Sequence, residues 1–192
     1  MTESSHSIFP AGITFLMVPG LRDHMEDHWQ THFQKRFPTS VCVPPLEHDK
    51  LSRKARVEAL ERTLAGIEGK VILVAHSAGC ITTAHWAQDG QRKIHGALLA
   101  TPADVDMPMP AGYPTPEQLQ TNGWSPVPAT ALPFPTLLAA SRNDPLLSYE
   151  RAEQLAKAWD ARLVDLGNVG HLNPVAGFGP WPGLDALLQQ LV

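Results

Sequence analysis

Six short runs of apolar, partly β-branched residues punctuate the chain: "ITFLMV" (13–18), "VCV" (41–43), "VILVA" (71–75), "GALLA" (96–100), "TLLAA" (136–140) and "RLVDL" (162–166). They run apolar instead of alternating with polar residues, which predicts strands covered on both faces. Helical spacing fills the intervals. Val57, Leu60, Leu64 and Ile67 recur at i, i+3, i+7 and i+10, and Ala152, Leu155, Ala156 and Trp159 at i, i+3, i+4 and i+7 behind Ser148, a residue suited to an N-cap. "LDALLQQLV" at the end of the chain predicts a last helix. Strands alternating with helices specify an α/β protein, a parallel sheet with right-handed crossovers and helices on both faces.

One segment breaks this rhythm. Residues 101–135 form a proline-rich excursion, with nine prolines from Pro102 to Pro135, and can hold neither a long helix nor a central strand. A connection of this length inside a compact domain is either functional or loose. Because nothing resembling a linker divides the 192 residues, residues 1–192 are expected to form a single domain. Hydrophobic residues at 43% and charged residues at 18% support one good core and exclude a disordered chain. The net charge of −4 and the lack of a basic tract argue against nucleic acid, and "RKAR" at 53–56 reads as a solvated helix face. Cys42 and Cys80 lack zinc spacing and suit a reducing compartment. With no apolar leader at the start and no run of 18 apolar residues, a cytoplasmic protein away from membranes is expected.

Ligands of an α/β sheet bind outside the carboxyl ends of its strands, so chemistry is sought just after each run. "VILVA" leads into His76-Ser77-Ala78-Gly79 and then a helix-compatible stretch to Asp89, closed by Gly90. This is the G-x-S-x-G nucleophile-elbow pattern with Ala75 in the first glycine's place. Small residues two before and two after the serine are needed because the turn is sharp, and Ala75 and Gly79 meet that need. A serine hydroxyl requires a base, and the base an orienting carboxylate. "TLLAASRNDP" supplies Asp144 after the fifth strand, and "RLVDLGNVGHLNP" supplies His171 after the sixth. The order Ser, Asp, His is the one used on this kind of sheet. Asp165 is the rival acid, but it falls within the last strand pattern. For an oxyanion, the backbone N–H of Ala78 and of Leu21, in "MVPGLRDH" after the first strand, are the candidate donors.

Other chemistry-bearing residues receive plainer readings. The elbow should turn His76 away from the serine hydroxyl, to line a crevice or hydrogen-bond nearby. His24, His28 and His32 fall at i, i+4 and i+8, which would be one helical face. The zincin pattern needs glutamate directly after the first histidine, whereas Met25 stands there, so no metal site is predicted. Cys80, Trp159 and Trp181 read as packing. Tyr113 and Trp124, in the proline-rich excursion, are candidates for apolar contacts to a substrate.

The motifs "VAHSAGC", "ASRNDP", "AEQLAKAWDARLVDLGNVGHLN" and "GFGPWPG", with "DHWQ" at 27–30, together resemble the small serine hydrolases typified by retinoblastoma-binding protein 9. The likeness spans most of the chain. It implies an α/β-hydrolase fold, a three-layer sandwich without a cap domain whose six-stranded, mainly parallel sheet has the order 2-1-3-4-5-6. It also implies Ser77, Asp144 and His171 as a catalytic triad hydrolysing small carboxylic esters or related acyl compounds through an acyl-enzyme, with no cofactor. Leu21 stands where an aromatic residue is expected and Phe178 where a histidine is usual. Cys42, in "SVCVP", lacks the leucine and glutamate of an L-x-C-x-E peptide, so the family's namesake interaction is not implied and any protein partner is unknown. The competing readings are a protein-interaction module with a vestigial triad and a metal-dependent hydrolase using the His24 face.

Overall fold

The computed structural model describes residues 8–23 and 25–192. Six strands, β1 (Ile13–Val18), β2 (Val41–Cys42), β3 (Lys70–Ser77), β4 (Gly96–Pro102), β5 (Thr136–Ala140) and β6 (Arg162–Asp165), form one sheet in the order β2-β1-β3-β4-β5-β6. All five pairings are parallel. The apolar runs explain why. Along β3, Val71, Leu73 and Ala75 enter one hydrophobic layer, while Ile72 and Val74 enter the other. Both faces of the strand are thereby removed from water, as a parallel sheet requires.

Helices α2 (Arg53–Ala65), α3 (Ala78–Trp86) and α5 (Tyr149–Ala158) cover the first face, supplying Leu60, Leu64, Ile81 and Leu155 to its core. The second face receives Trp29 and Phe33 from α1 (Trp29–Arg36) and Leu184 and Leu188 from α6 (Leu184–Leu188). Ser148 caps α5 by accepting a hydrogen bond from the Arg151 N–H, as its sequence context predicts. The helix after the elbow is shorter than expected: it ends at Trp86, whose carbonyl is taken by the Gly90 N–H. The last helix closes at Leu188.

The proline-rich excursion is fastened down. It holds one short helix, α4 (Pro116–Thr121), started by a capping box between Thr115 and Gln118. Asp106 accepts from the Ser125 hydroxyl at 2.7 Å, the Val127 N–H at 3.2 Å and the Arg151 guanidinium at 2.9 Å. Trp124, a candidate from the sequence for contact with a substrate, is buried (0% exposed). Its indole N–H donates to the Leu51 carbonyl at 2.6 Å, and its own carbonyl accepts from His85 Nε2 at 3.0 Å. These two bonds hold the ring inside the core.

The 53–56 cluster also departs from expectation. Arg53 donates to the Gly123 carbonyl, and Arg56 is only 7% exposed, its guanidinium drawn in by backbone carbonyls of residues 20, 21 and 50. The helix does not extend back over the histidine spacing read from the sequence. α1 begins at Trp29 with His28 as its N-cap, whose Nδ1 accepts from the Gln30 N–H, and His24 lies outside the described residues. Among the described residues no helix is long and apolar enough to cross a membrane.

Candidate active site

β3 runs straight into α3 with no loop between them, so Ser77 must carry the whole change of direction. Its backbone sits at φ 56° and ψ −127°, a region that costs a non-glycine residue about 1–3 kcal/mol. The β3–β4 register slips at this point, Ser77 pairing with Pro102. Gly79 shows why the turn admits no side chain there: a Cβ would stand 2.1 Å from the Val18 carbonyl oxygen. Ala75 is completely enclosed.

Ser77, His171 and Asp144 are brought together. His171 Nε2 lies 2.9 Å from Ser77 Oγ, and His171 Nδ1 lies 3.0 and 2.9 Å from the two Asp144 carboxylate oxygens. A carboxylate can only accept, so Nδ1 carries the proton and Nε2 is left to accept from the serine hydroxyl. The side chains of Asp144 and His171 are 1% and 6% exposed, which shields both contacts from water. Asp144 also accepts from the Leu146 N–H at 2.8 Å.

The two loops that carry these groups are tied to each other. Asn143 Oδ1 accepts from the Gly170 N–H at 2.7 Å and from the Ser141 hydroxyl at 2.9 Å, and Ser141 Oγ accepts from the Val169 N–H at 3.1 Å. The His171 carbonyl accepts from His76 Nε2 at 2.9 Å and from the Thr101 hydroxyl at 3.4 Å. His76 is therefore turned from the serine hydroxyl, as the elbow predicts, and grips the backbone of the histidine loop. Burial, then the neighbouring His171 and His28, push its pKa well below the usual histidine value. It is neutral, with its proton on Nε2.

Leu21 and Ala78 both stand beside the serine. Ala78 is the first residue of α3, where an N–H has no acceptor within the helix. Leu21 follows Gly20, whose Cβ position would lie only 3.0 Å from Ser77 Cβ and 3.4 Å from Ser77 Oγ. A cavity of about 430 Å³ opens over Ser77 and His171, with Leu21, Val105, Met109, Tyr113, Leu146 and Val175 among its apolar walls. Tyr113 thus faces the cavity, its ring beneath the Arg22 guanidinium at 5.3 Å, and Trp124 does not.

The remaining candidates lie elsewhere. Asp165 pairs with Arg142 at 2.6 Å on the surface, and that guanidinium holds its carboxyl below the usual range. Cys80 is enclosed in the core, where burial pushes its thiol well up. Among the described residues no group of three or more His, Cys, Asp or Glu side chains could hold a metal ion. Sequence reasoning missed Arg56, Asn143, Ser141 and Thr101. Of these only Asn143 left a signal, as an Asn-Asp-Pro turn whose first side chain is free to bind backbone.

A six-stranded parallel sheet in this order, helices on both faces, a nucleophile elbow and no cap domain among the described residues define the α/β-hydrolase fold. The serine hydrolase family model matches residues 15–190, and the chain belongs to that family. A solved structure from Pectobacterium atrosepticum, described as a YdeN-like hydrolase, is similar at 37% identity, with a TM-score of 0.80 over 93% of this chain and 90% of that one. The ydeN product of Bacillus subtilis shares the fold at 16% identity, with a TM-score of 0.70 over 93% of this chain and 97% of that one. So does Est1E of Butyrivibrio proteoclasticus, solved with ferulic acid bound, at 11% identity and a TM-score of 0.69 over 93% of this chain and 88% of that one. No curated protein matches the chain.

Proposed function

We propose that this serine hydrolase cleaves small carboxylic esters through a Ser77–His171–Asp144 triad and an acyl-enzyme, within the branch typified by retinoblastoma-binding protein 9. The observation that carries the reading is the continuous hydrogen-bonded chain from Ser77 Oγ through both nitrogens of His171 to Asp144, set on a strained elbow beneath an open cavity. His171 Nε2 takes the hydroxyl proton as Ser77 Oγ attacks the ester carbonyl, then delivers that proton to the departing alkoxide. Water repeats the cycle on the acyl-enzyme, releasing the acid and restoring the serine. Asp144 holds the imidazole in the required tautomer and stabilises the imidazolium. The N–H groups of Ala78 and Leu21 receive the negative oxygen of each tetrahedral intermediate. The cavity, within the range that takes small ligands, and its apolar walls suit an uncharged acyl or alkoxy group.

Labelling with a fluorophosphonate probe, alongside hydrolysis of p-nitrophenyl esters of increasing acyl length, tests the reading. Wild type should label, and Ser77→Ala should not. Asp144→Asn should retain the fold and lose on the order of 10⁴-fold in kcat. A folded wild type that neither labels nor turns over any of the esters would overturn the proposal in favour of an interaction module.

A further inference from the structure

We propose that Arg56 is a positioning residue that aims the Leu21 N–H at the oxyanion formed on Ser77. The inference rests on the reading of Ser77 as nucleophile. Arg56 comes from α2, remote in sequence from both the elbow and the loop after β1, and it is among the few buried charged side chains of the described residues. Nη1 donates to the Gly20 carbonyl at 3.2 Å and to Asp23 Oδ1 at 3.0 Å, Nη2 to the Leu21 carbonyl at 3.2 Å, and Nε to the Lys50 carbonyl at 2.9 Å. The planar fork of an arginine can serve these acceptors together, whereas a lysine ammonium cannot span them.

The direction of the Leu21 N–H follows from peptide geometry. The Gly20–Leu21 bond is trans, so its C=O and N–H point in opposite directions. With the Gly20 oxygen held on the guanidinium, the Leu21 N–H is turned away from Arg56. Gly20 itself packs directly on Ser77, and Gly20 and Leu21 line the cavity over that serine, whereas Arg56 does not. The same oxygen also accepts from the Asp23 N–H at 3.1 Å, closing a turn in which Asp23 adopts φ 53°. Rotating the peptide would break both bonds at once. Among the described residues the Leu21 N–H donates to no acceptor, which leaves it available to an oxyanion. The buried cation at the oxygen end of this peptide also polarises it, strengthening its N–H as a donor.

Leu21 is the second residue of the Gly20–Asp23 turn, a position at which proline is favoured in type I and II turns, so Leu21→Pro replaces the N–H with a ring carbon and keeps the Gly20 carbonyl that closes the turn. The experiment measures ester kcat and KM, and the affinity of an alkyl boronic acid that forms a tetrahedral adduct on serine, for Arg56→Lys, Leu21→Pro and the double variant. Melting temperatures are recorded in parallel. Leu21→Pro should lower kcat by about 10²–10³-fold. Arg56→Lys should lower it on the order of 10–100-fold, with KM nearly unchanged and boronate affinity falling alongside. The double variant should be no slower than Leu21→Pro alone, because Arg56 acts only through that N–H. If Arg56→Lys does not fold, Asp23→Asn, which removes the ion pair and leaves an acceptor, must show the same pattern in milder form. Wild-type kcat in the folded Arg56 variant, or losses that multiply in the double variant, would overturn the proposal. Turnover that survives Ser77→Ala would instead sink the reading of the nucleophile itself, a separate result.

Discussion

Ser77 and His76 are chain neighbours set to opposite tasks, one exposed to the cavity and strained, the other buried and relaxed against a carbonyl. That division has a consequence for acid stability. In the unfolded chain His76 takes up a proton near pH 6.5, whereas in the folded protein burial holds its pKa well below that value. Below about pH 6.5 the unfolded state therefore binds more protons, and the stability due to a neutral His76 is present above that pH and lost as pH falls. The slope reaches about 1.4 kcal/mol per pH unit. His76→Gln, which keeps a donor for the His171 carbonyl, should flatten the fall in urea midpoint between pH 7.5 and 5. His85, lowered by burial too, contributes with the same sign, so some slope persists. An unchanged slope in the variant would show that His76 titrates normally. At this scale the sequence was legible where one turn imposes local rules, as at Ala75, Ser77 and Gly79. It was opaque at Arg56, because "RKAR" reads as solvated until the loop after β1 is folded over it.

Among elements, the proline-rich excursion was foreseen in its extent but not in its depth. Proline content forbids regular structure without saying whether the chain lies on the core or in it. Trp124 belongs to the core because Leu51 and His85, distant in sequence, claim its polar groups. Tyr113 is left at the cavity. Asp106 is the knot that draws residues 125–127 onto α5 through Arg151, which pairs with Asp104 as well. Asp106→Ala strips the Val127 N–H and the Ser125 hydroxyl of their acceptor, for which about 1–3 kcal/mol of destabilisation is expected. Hydrogen exchange should quicken across residues 104–127 while β3 remains protected, a contrast that mass spectrometry of the intact protein would reveal. Uniform quickening would mean that the excursion opens only with the whole protein.

For the whole molecule, the six apolar runs correspond to the six strands, because continuous hydrophobic runs have few solutions other than a sheet buried on both faces, and the strand order is the one the family resemblance implies. What a linear reading lacks is distance. Asp144 and His171 meet Ser77 only because β5 and β6 extend the sheet on one side of β3.

The sheet is unequal along its width. β3 has a partner on either side, whereas β6 has four residues, one partner and no buried position. Ser77 thus stands on a strand paired on both sides, whereas His171, proposed as its proton acceptor, hangs from a margin that opens at lower cost. Gentle heating should therefore silence the enzyme before it melts: the midpoint for reversible loss of ester hydrolysis should fall below that for loss of helical circular dichroism. Coincident midpoints would make β6 part of one cooperative unit. A frayed margin amounts to a thermal fuse, resetting on cooling while the rest of the fold stays assembled.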